Sequence, residues 1–308
     1  MNDGTLSARQ LAVAVMVGGL SAGAAIAGRG GWWWTLAGAA AGTAMGWLLL
    51  RRVGCGRLRP ALRALYGGWA VVLMARTLDE TARRLQPAAG ERGAAWMVLL
   101  LALPLVWMSW GKGAAFFRMA EVLWLGAAAA VAAILLLGLP RVDWEWAAEP
   151  AGSWGESLLA GTLPMAAGLY ALPHLDKVMA AQGDLRRGLA WLAALGAVSG
   201  ALGLLTAGLL HPAVAAKLDG PFFSAAGLLG DSARLEGLAA AVWLLPDLVW
   251  MGLLARSWGE GRGPALAVLA AAGLALGGIA AGFPAAACAA GCLALAVLTV
   301  ALPPEGGK

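Results

Sequence analysis

Residues 263–304 read GPALAVLAAAGLALGGIAAGFPAAACAAGCLALAVLTVALPP, 42 residues without one charged side chain. As a single helix, at about 1.5 Å per residue, the run would be about 63 Å long, twice the hydrocarbon thickness of a bilayer. It must fold back on itself, and Gly278, Gly282 and Pro284 mark the turn. A hairpin with no polar face has nothing to offer water, so lipid is its natural solvent.

The rest of the chain repeats the pattern. Of its 308 residues 61% are hydrophobic and only 13% charged, and the mean hydropathy is +0.76. A soluble domain carries roughly 25% charged residues. Further apolar runs occupy residues 10–28, 30–50, 93–111, 122–140, 157–173, 188–210 and, broken by Asp247 alone, 237–255. A span needs about 20 such residues. The first run leads directly into a second long one, so it is expected to be a span rather than a cleaved leader. These runs give nine spans. Residues 62–76, of which only 64–75 are uncharged, supply the tenth.

Charge bias requires that tenth span. With it, Arg9, Arg51, Arg52, Arg57, Arg59, Arg63, Lys112, Arg118, Lys177, Arg186, Arg187, Arg256, Arg262 and Lys308 share one side, 14 of the 22 basic residues. The positive-inside rule makes that side cytoplasmic and leaves both termini there. The opposite side holds Asp143, Glu145, Glu149, Glu156 and the longest loop, 211–236. Its Pro221-Phe222-Phe223 opens an apolar stretch too short to span, read as a small helix over the outer mouth. Many of the 16 Trp residues stand at the ends of apolar runs, such as Trp32, Trp33 and Trp34, where amphipathic rings favour the interface.

Function classes are narrowed by what is missing. The basic residues are scattered, not gathered in a nucleic-acid-binding stripe. There is no phosphate loop, HExxH or nucleophile elbow. The histidines are His174 and His211, both in loops. Cys55, Cys288 and Cys292 match no zinc framework and read as free thiols. No cofactor, metal or catalytic residue is expected, and the chain is not read as an enzyme.

The informative features are interruptions. The first span contains Val17-Gly18-Gly19-Leu20-Ser21-Ala22-Gly23 and the sixth Gly161-Thr162-Leu163-Pro164-Met165-Ala166-Ala167-Gly168-Leu169-Tyr170. Proline removes a backbone donor and clashes one turn back, and glycine lets the chain leave helical geometry. In a five-plus-five inverted repeat, about 9–140 and 157–304 of a single transmembrane domain spanning 1–308, these two spans are equivalent. Paired interruptions of this kind point to a transporter-type binding site. The expected ligand-binding residues are Gly18, Gly19, Ser21, Gly23, Gly161, Thr162, Pro164, Gly168 and Tyr170. The bland alternative is that glycine and proline only help helices pack. Packing is the reading given to Gly38, Gly42 and Gly46 in span two and to Gly196, Gly200 and Gly203 in span seven.

Asp247 lies near the middle of span eight, where an ionised carboxylate is costly. It is either a possible ion or proton site or a hydrogen-bonding group that joins helices. Glu121, one turn after Arg118, is expected to form a structural ion pair with it. Arg76, Asp79, Glu80, Arg83 and Arg84 read as a solvated helical extension at the outer end of span three.

Several stretches together resemble the B-subunit, permease-like family of spore-germination nutrient receptors, the GerAB-type proteins of the amino acid–polyamine–organocation superfamily. They are residues 6–11, Trp32 to Gly46, residues 113–121 with their Arg-x-x-Glu, residues 139–144, and Pro221 through Leu235-Glu236-Gly237-Leu238 to Trp243. The resemblance covers about residues 6–260. It implies a LeuT-type fold of ten helices with the first and sixth interrupted, and a nutrient germinant, typically an amino acid, bound there. It also implies A and C partner subunits in the inner spore membrane. A secondary transporter of amino acids or related solutes is the competing expectation. A structural membrane partner without binding is a weaker third.

Overall fold

The computed structural model describes residues 7–26, 31–53, 58–89, 93–110, 113–149, 154–170, 182–215, 217–218, 220–229, 234–259 and 261–302. Cys55, Arg57, Lys112, His174, Lys177 and Lys308 lie outside the described residues.

Every regular element among them is helical. The first, α1 (Ala8–Ile26), starts at a capping box: the Gln10 amide donates to Ser7 Oγ (3.2 Å) and the Ser7 amide to Gln10 Oε1 (3.3 Å). Then come α2 (Trp32–Val53), α3 (Pro60–Ala89), α4 (Gly93–Trp110) and α5 (Gly113–Gly138). A 3-10 turn at Leu139–Arg141 leads to the short α6 (Trp144–Ala148), capped by Asp143 through the amides of Glu145 and Trp146. The sixth segment is broken: α7 (Trp154–Gly161), a 3-10 turn at Leu163–Met165, then α8 (Ala166–Leu169). After it follow α9 (Gln182–Leu209), the short α10 (Pro212–Ala215) and α11 (Pro221–Gly227), and α12 (Arg234–Arg256).

The charge-free run folds back as expected, into α13 (Gly263–Leu276) and α14 (Ala285–Ala301). Gly278, at φ +71°, makes the turn that a side chain would strain. Pro284 caps α14 from an extended conformation.

Among the described residues three helical stretches are long and apolar enough to cross a membrane: Gly93–Trp110, Gly113–Arg141 and Gly237–Arg256. Ala193–Leu209, Gly263–Leu276 and Ala285–Ala301 are apolar but shorter. The α4 and α5 helices turn large apolar groups outward. Leu103 is 67% exposed, Trp107 80% and Leu136 75%, a surface suited to lipid rather than water. Inside, small residues bring backbones together. A Cβ on Gly38 of α2 would stand 2.1 Å from the Leu158 carbonyl of α7. On Gly200 of α9 it would stand 2.7 Å from Leu36. The packing roles expected for these glycines therefore hold.

Two expectations are corrected. The first span is not interrupted: α1 runs unbroken through Gly18, Gly19 and Gly23. It contains no proline, so every residue keeps its amide donor. Opening helical bonds there would strand polar backbone in an apolar interior. The third span is not a marginal apolar segment with a solvated extension. It is a 30-residue helix whose charged end turns partly inward: Arg76 is only 6% exposed and Arg84 is half-buried, while Arg83 stays exposed as expected.

The α1 helix packs on α5, α9, α12 and the broken segment, and α2 packs on α7, α9 and α14. A second group joins α3, α4, α12 and α13. At one end of the bundle, α6, α10 and α11 form a cover. It is tied by Arg141 Nη1 donating to the Leu229 carbonyl (2.8 Å) and by a His211–Glu149 pair (3.2 Å).

Candidate functional site

Asp247 decides where the site is. It sits on α12 directly after the in-helix Pro246 and is 1% exposed. Its Oδ1 accepts from Ser21 Oγ of α1 at 2.6 Å. Its Oδ2 accepts from Thr81 Oγ1 and Arg84 Nη1 of α3, both at 2.8 Å. Three helices distant in sequence thus close on one carboxylate. Such an ion pair has to be completed by further hydrogen bonds to offset the loss of water, and two hydroxyls supply them.

The charges continue along α3. Thr77, Glu80, Thr81 and Arg84 follow helical spacing on one face. Arg76 pairs with Glu80 one turn on. Its Nη1 also donates to the Phe283 carbonyl (3.1 Å) and meets Cys288 Sγ at 3.6 Å. Arg84 is held from the other side by Phe223 of α11, whose ring centroid lies 4.0 Å from the guanidinium carbon. Phe223 and Phe222 pack in turn on Trp243, so the cover helix is fixed directly above Arg84.

Between these groups is a cavity of about 20 Å³, room for one water molecule. Ser21, Arg76, Glu80, Arg84 and Asp247 line it, with Leu163 of the broken segment and Trp250 of α12. Its wall carries two guanidinium groups and two carboxylates, each cation facing an acid.

The other expected site residues divide. Gly18 packs against Trp250, where a Cβ would stand 3.2 Å from the ring. Pro164 is seated on α1: a Cβ at Gly19 would come 3.0 Å from the Pro164 carbonyl and one at Gly23 3.8 Å from its ring. Gly161 lies on α2, with a Cβ placed 2.5 Å from the Thr35 carbonyl oxygen. Thr162 Oγ1 donates to the Leu159 carbonyl (2.7 Å) and closes the end of α7. Tyr170 is fully buried and donates to the Tyr66 carbonyl (3.2 Å). Gly168 is half-buried in α8. Of the nine, Ser21 alone lines the charged cavity, while Thr162 lines a separate small crevice with Gly42 and Cys292.

Glu121 is also corrected. Its carboxylate is taken by Arg9 (3.4 Å) and by Gln10 Nε2 (3.2 Å) at the start of α1, and Arg118 is exposed. Among the described residues no ion pair joins Arg118 to Glu121.

Sequence reasoning missed Thr81 and Arg84 as partners of Asp247. One signal was available. A lone acid in a charge-free helix needs a cation, and the charged turns of span three were the nearest unassigned source within the apolar bundle. Cys288 and Cys292 are free and buried, and no metal-binding group of His, Cys, Asp or Glu occurs among the described residues.

No protein-family model matches the chain, and no curated protein matches it.

Proposed function

We propose that the chain is the membrane subunit of a nutrient receptor of the spore-germination type. It binds a small amino acid-like solute inside a ten-span bundle and signals by changing shape. The observation that carries this reading is the charged cavity between α1, α3, α12 and the broken sixth segment. A buried site with both charge signs suits a small zwitterion.

The neighbour pattern supports the five-plus-five arrangement. Exchange α1 with α7–α8, α2 with α9, α3 with α12, α4 with α13, and α5 with α14. The packing of α2 on α7 then becomes that of α9 on α1. The α3–α4, α4–α12 and α5–α12 contacts become α12–α13, α13–α3 and α14–α3. Contact of α1 with α5 and of α5 with α9 likewise maps onto α7 with α14 and α14 with α2. The α1–α12 contact has no counterpart of similar extent among the described residues. Of the two interruptions in the LeuT-type reading, only the sixth is kept, and side chains of α3 and α12 replace unwound backbone of the first helix as the polar contacts.

In this reading both termini are cytoplasmic and the cover of α6, α10 and α11 faces outward. The chain resides in the bacterial cell membrane or inner spore membrane with A- and C-type subunits. The second reading, a secondary transporter, is favoured by one observation: Asp247 bridges α1 and α12, where a proton or cation could couple to helix motion.

One experiment separates the two. The chain is reconstituted alone in vesicles with radiolabelled L-alanine, and co-expressed with A- and C-type subunits of a germinant receptor. Receptor function predicts binding and co-purification without net uptake. Uptake by the chain alone establishes the transporter, and absence of both binding and co-purification sinks the receptor.

A further inference from the structure

The group bound to Asp247 is itself informative. Asp247 holds a guanidinium, the head of an organic cation on a flexible stem, with Ser21 and Thr81 completing its hydrogen bonds. Phe223 offers a ring face to the same cation. We propose that Asp247, Ser21, Thr81 and Phe223 form a receptor for an organic cation, occupied here by Arg84 as an internal competitor. The cationic head of a solute enters by displacing Arg84. This rests on the reading of the cavity as a solute site and specifies which charge of the solute is recognised.

Three further observations carry it. With Arg84 in place the cavity has about 20 Å³, room for a water molecule but not for a solute. Arg84 therefore has to leave before an ammonium-bearing molecule can reach Asp247. It has somewhere to go: Glu80 stands four residues earlier on α3 and lines the same cavity, at a spacing that suits an ion pair. Glu80 is held meanwhile by Arg76, which keeps the Phe283 carbonyl as an alternative acceptor. Arg84 can thus move from one carboxylate to another without becoming an unpaired buried charge. The move also separates Arg84 from Phe223, which links occupancy to the cover helix α11.

The test uses the full chain in lipid nanodiscs. Probes are methylguanidinium, ethylammonium, propionate and L-alanine, with binding read by calorimetry. Removing the competitor in Arg84→Gln should tighten ethylammonium and methylguanidinium at least tenfold. Asp247→Asn should abolish both, and propionate should bind neither parent nor variants. Arg84→Lys keeps a cation at the carboxylate and should stay within threefold of the parent.

If Arg84→Gln folds poorly because Asp247 is left unpaired, millimolar methylguanidinium should raise its unfolding temperature by more than it raises the parent's. Unchanged or weaker cation binding in Arg84→Gln, or no such rescue, overturns the proposal. So does propionate binding that depends on Arg84. L-Alanine binding that is equal in all variants sinks the proposal but leaves a solute site elsewhere. Failure of every probe with every variant sinks the solute-site reading as well.

Discussion

The first span and the sixth segment read alike in sequence and fold differently. Both are apolar, and both carry three helix-weakening residues within about two turns, Gly18, Gly19 and Gly23 in one and Gly161, Pro164 and Gly168 in the other. Yet α1 is continuous, and the sixth segment opens into a 3-10 turn between two short helices. The sixth segment sets Pro164 between Gly161 and Gly168, and it is this combination that differs, since α4 and α12 run unbroken through Pro104 and Pro246. Glycine permits departure from helical geometry but does not require it, and in an apolar interior the intact hydrogen bond is the cheaper state. Proline has no donor to keep, so the carbonyl one turn back is already unpaired. Glycine in α1 serves instead for close packing, with Trp250 of α12 at Gly18, Leu195 of α9 and the Pro164 carbonyl at Gly19, and Ser199 of α9 at Gly23.

The harshest way to test that contrast is to give α1 what the sixth segment has. Val17→Pro places a proline in the middle of α1, at a residue that is fully buried. It should cost about 3 kcal/mol or more and abolish monodisperse protein on size-exclusion chromatography. Normal yield and elution would show that α1 tolerates a break and that the contrast with the sixth segment is accidental.

Next in size is Gly161→Val. The new Cβ would stand 2.5 Å from the Thr35 carbonyl oxygen and 2.8 Å from Thr35 Cα, both backbone atoms that cannot step aside. Overpacking of this kind costs about 3 kcal/mol. The sequence assigned this glycine to ligand approach, which predicts lost binding in an intact protein. The structure assigns it to the α2–α7 contact, so the unfolding temperature should drop first. An unchanged unfolding temperature with lost L-alanine binding would restore the earlier assignment.

The smallest effect is expected from Pro164→Ala, which restores the missing donor. Stability should shift by less than about 1 kcal/mol, while amide exchange across residues 162–166 should slow as the turn tightens toward α-helix. Unaltered exchange would mean that the surrounding helices impose the break.

These cases show what the sequence could and could not reveal. Length and charge-free runs made the helices legible, and the 263–304 hairpin with its turn glycine was readable in full, because a charge-free run twice the membrane thickness has one way to fold. The break at Pro164 was legible because a proline there coincides with flanking glycines. The continuity of α1 was not, since it depends on a balance between glycine freedom and the cost of open backbone. Ser21 was singled out as a polar group beside unwound chain, whereas it donates to Asp247 instead. Arg84 was assigned to solvent because its partner lies 163 residues away on another helix. Local patterns carry no information about such a pairing, only the requirement that a buried acid be matched.

The seat of Pro164 on α1 has a mechanical consequence. The Pro164 carbonyl faces Gly19 while its ring lies beside Gly23, so the two glycines together hold one position of the broken segment. Space on the same ridge is tighter still toward α9: a Cβ at Gly19 would stand 2.1 Å from Leu195 Cδ2 and one at Gly23 2.7 Å from Ser199 Oγ. The broken segment and α9 thus share one latch on α1, and Gly19→Ala, which must push on both, should loosen them together, read as one lowered unfolding temperature rather than two separate transitions.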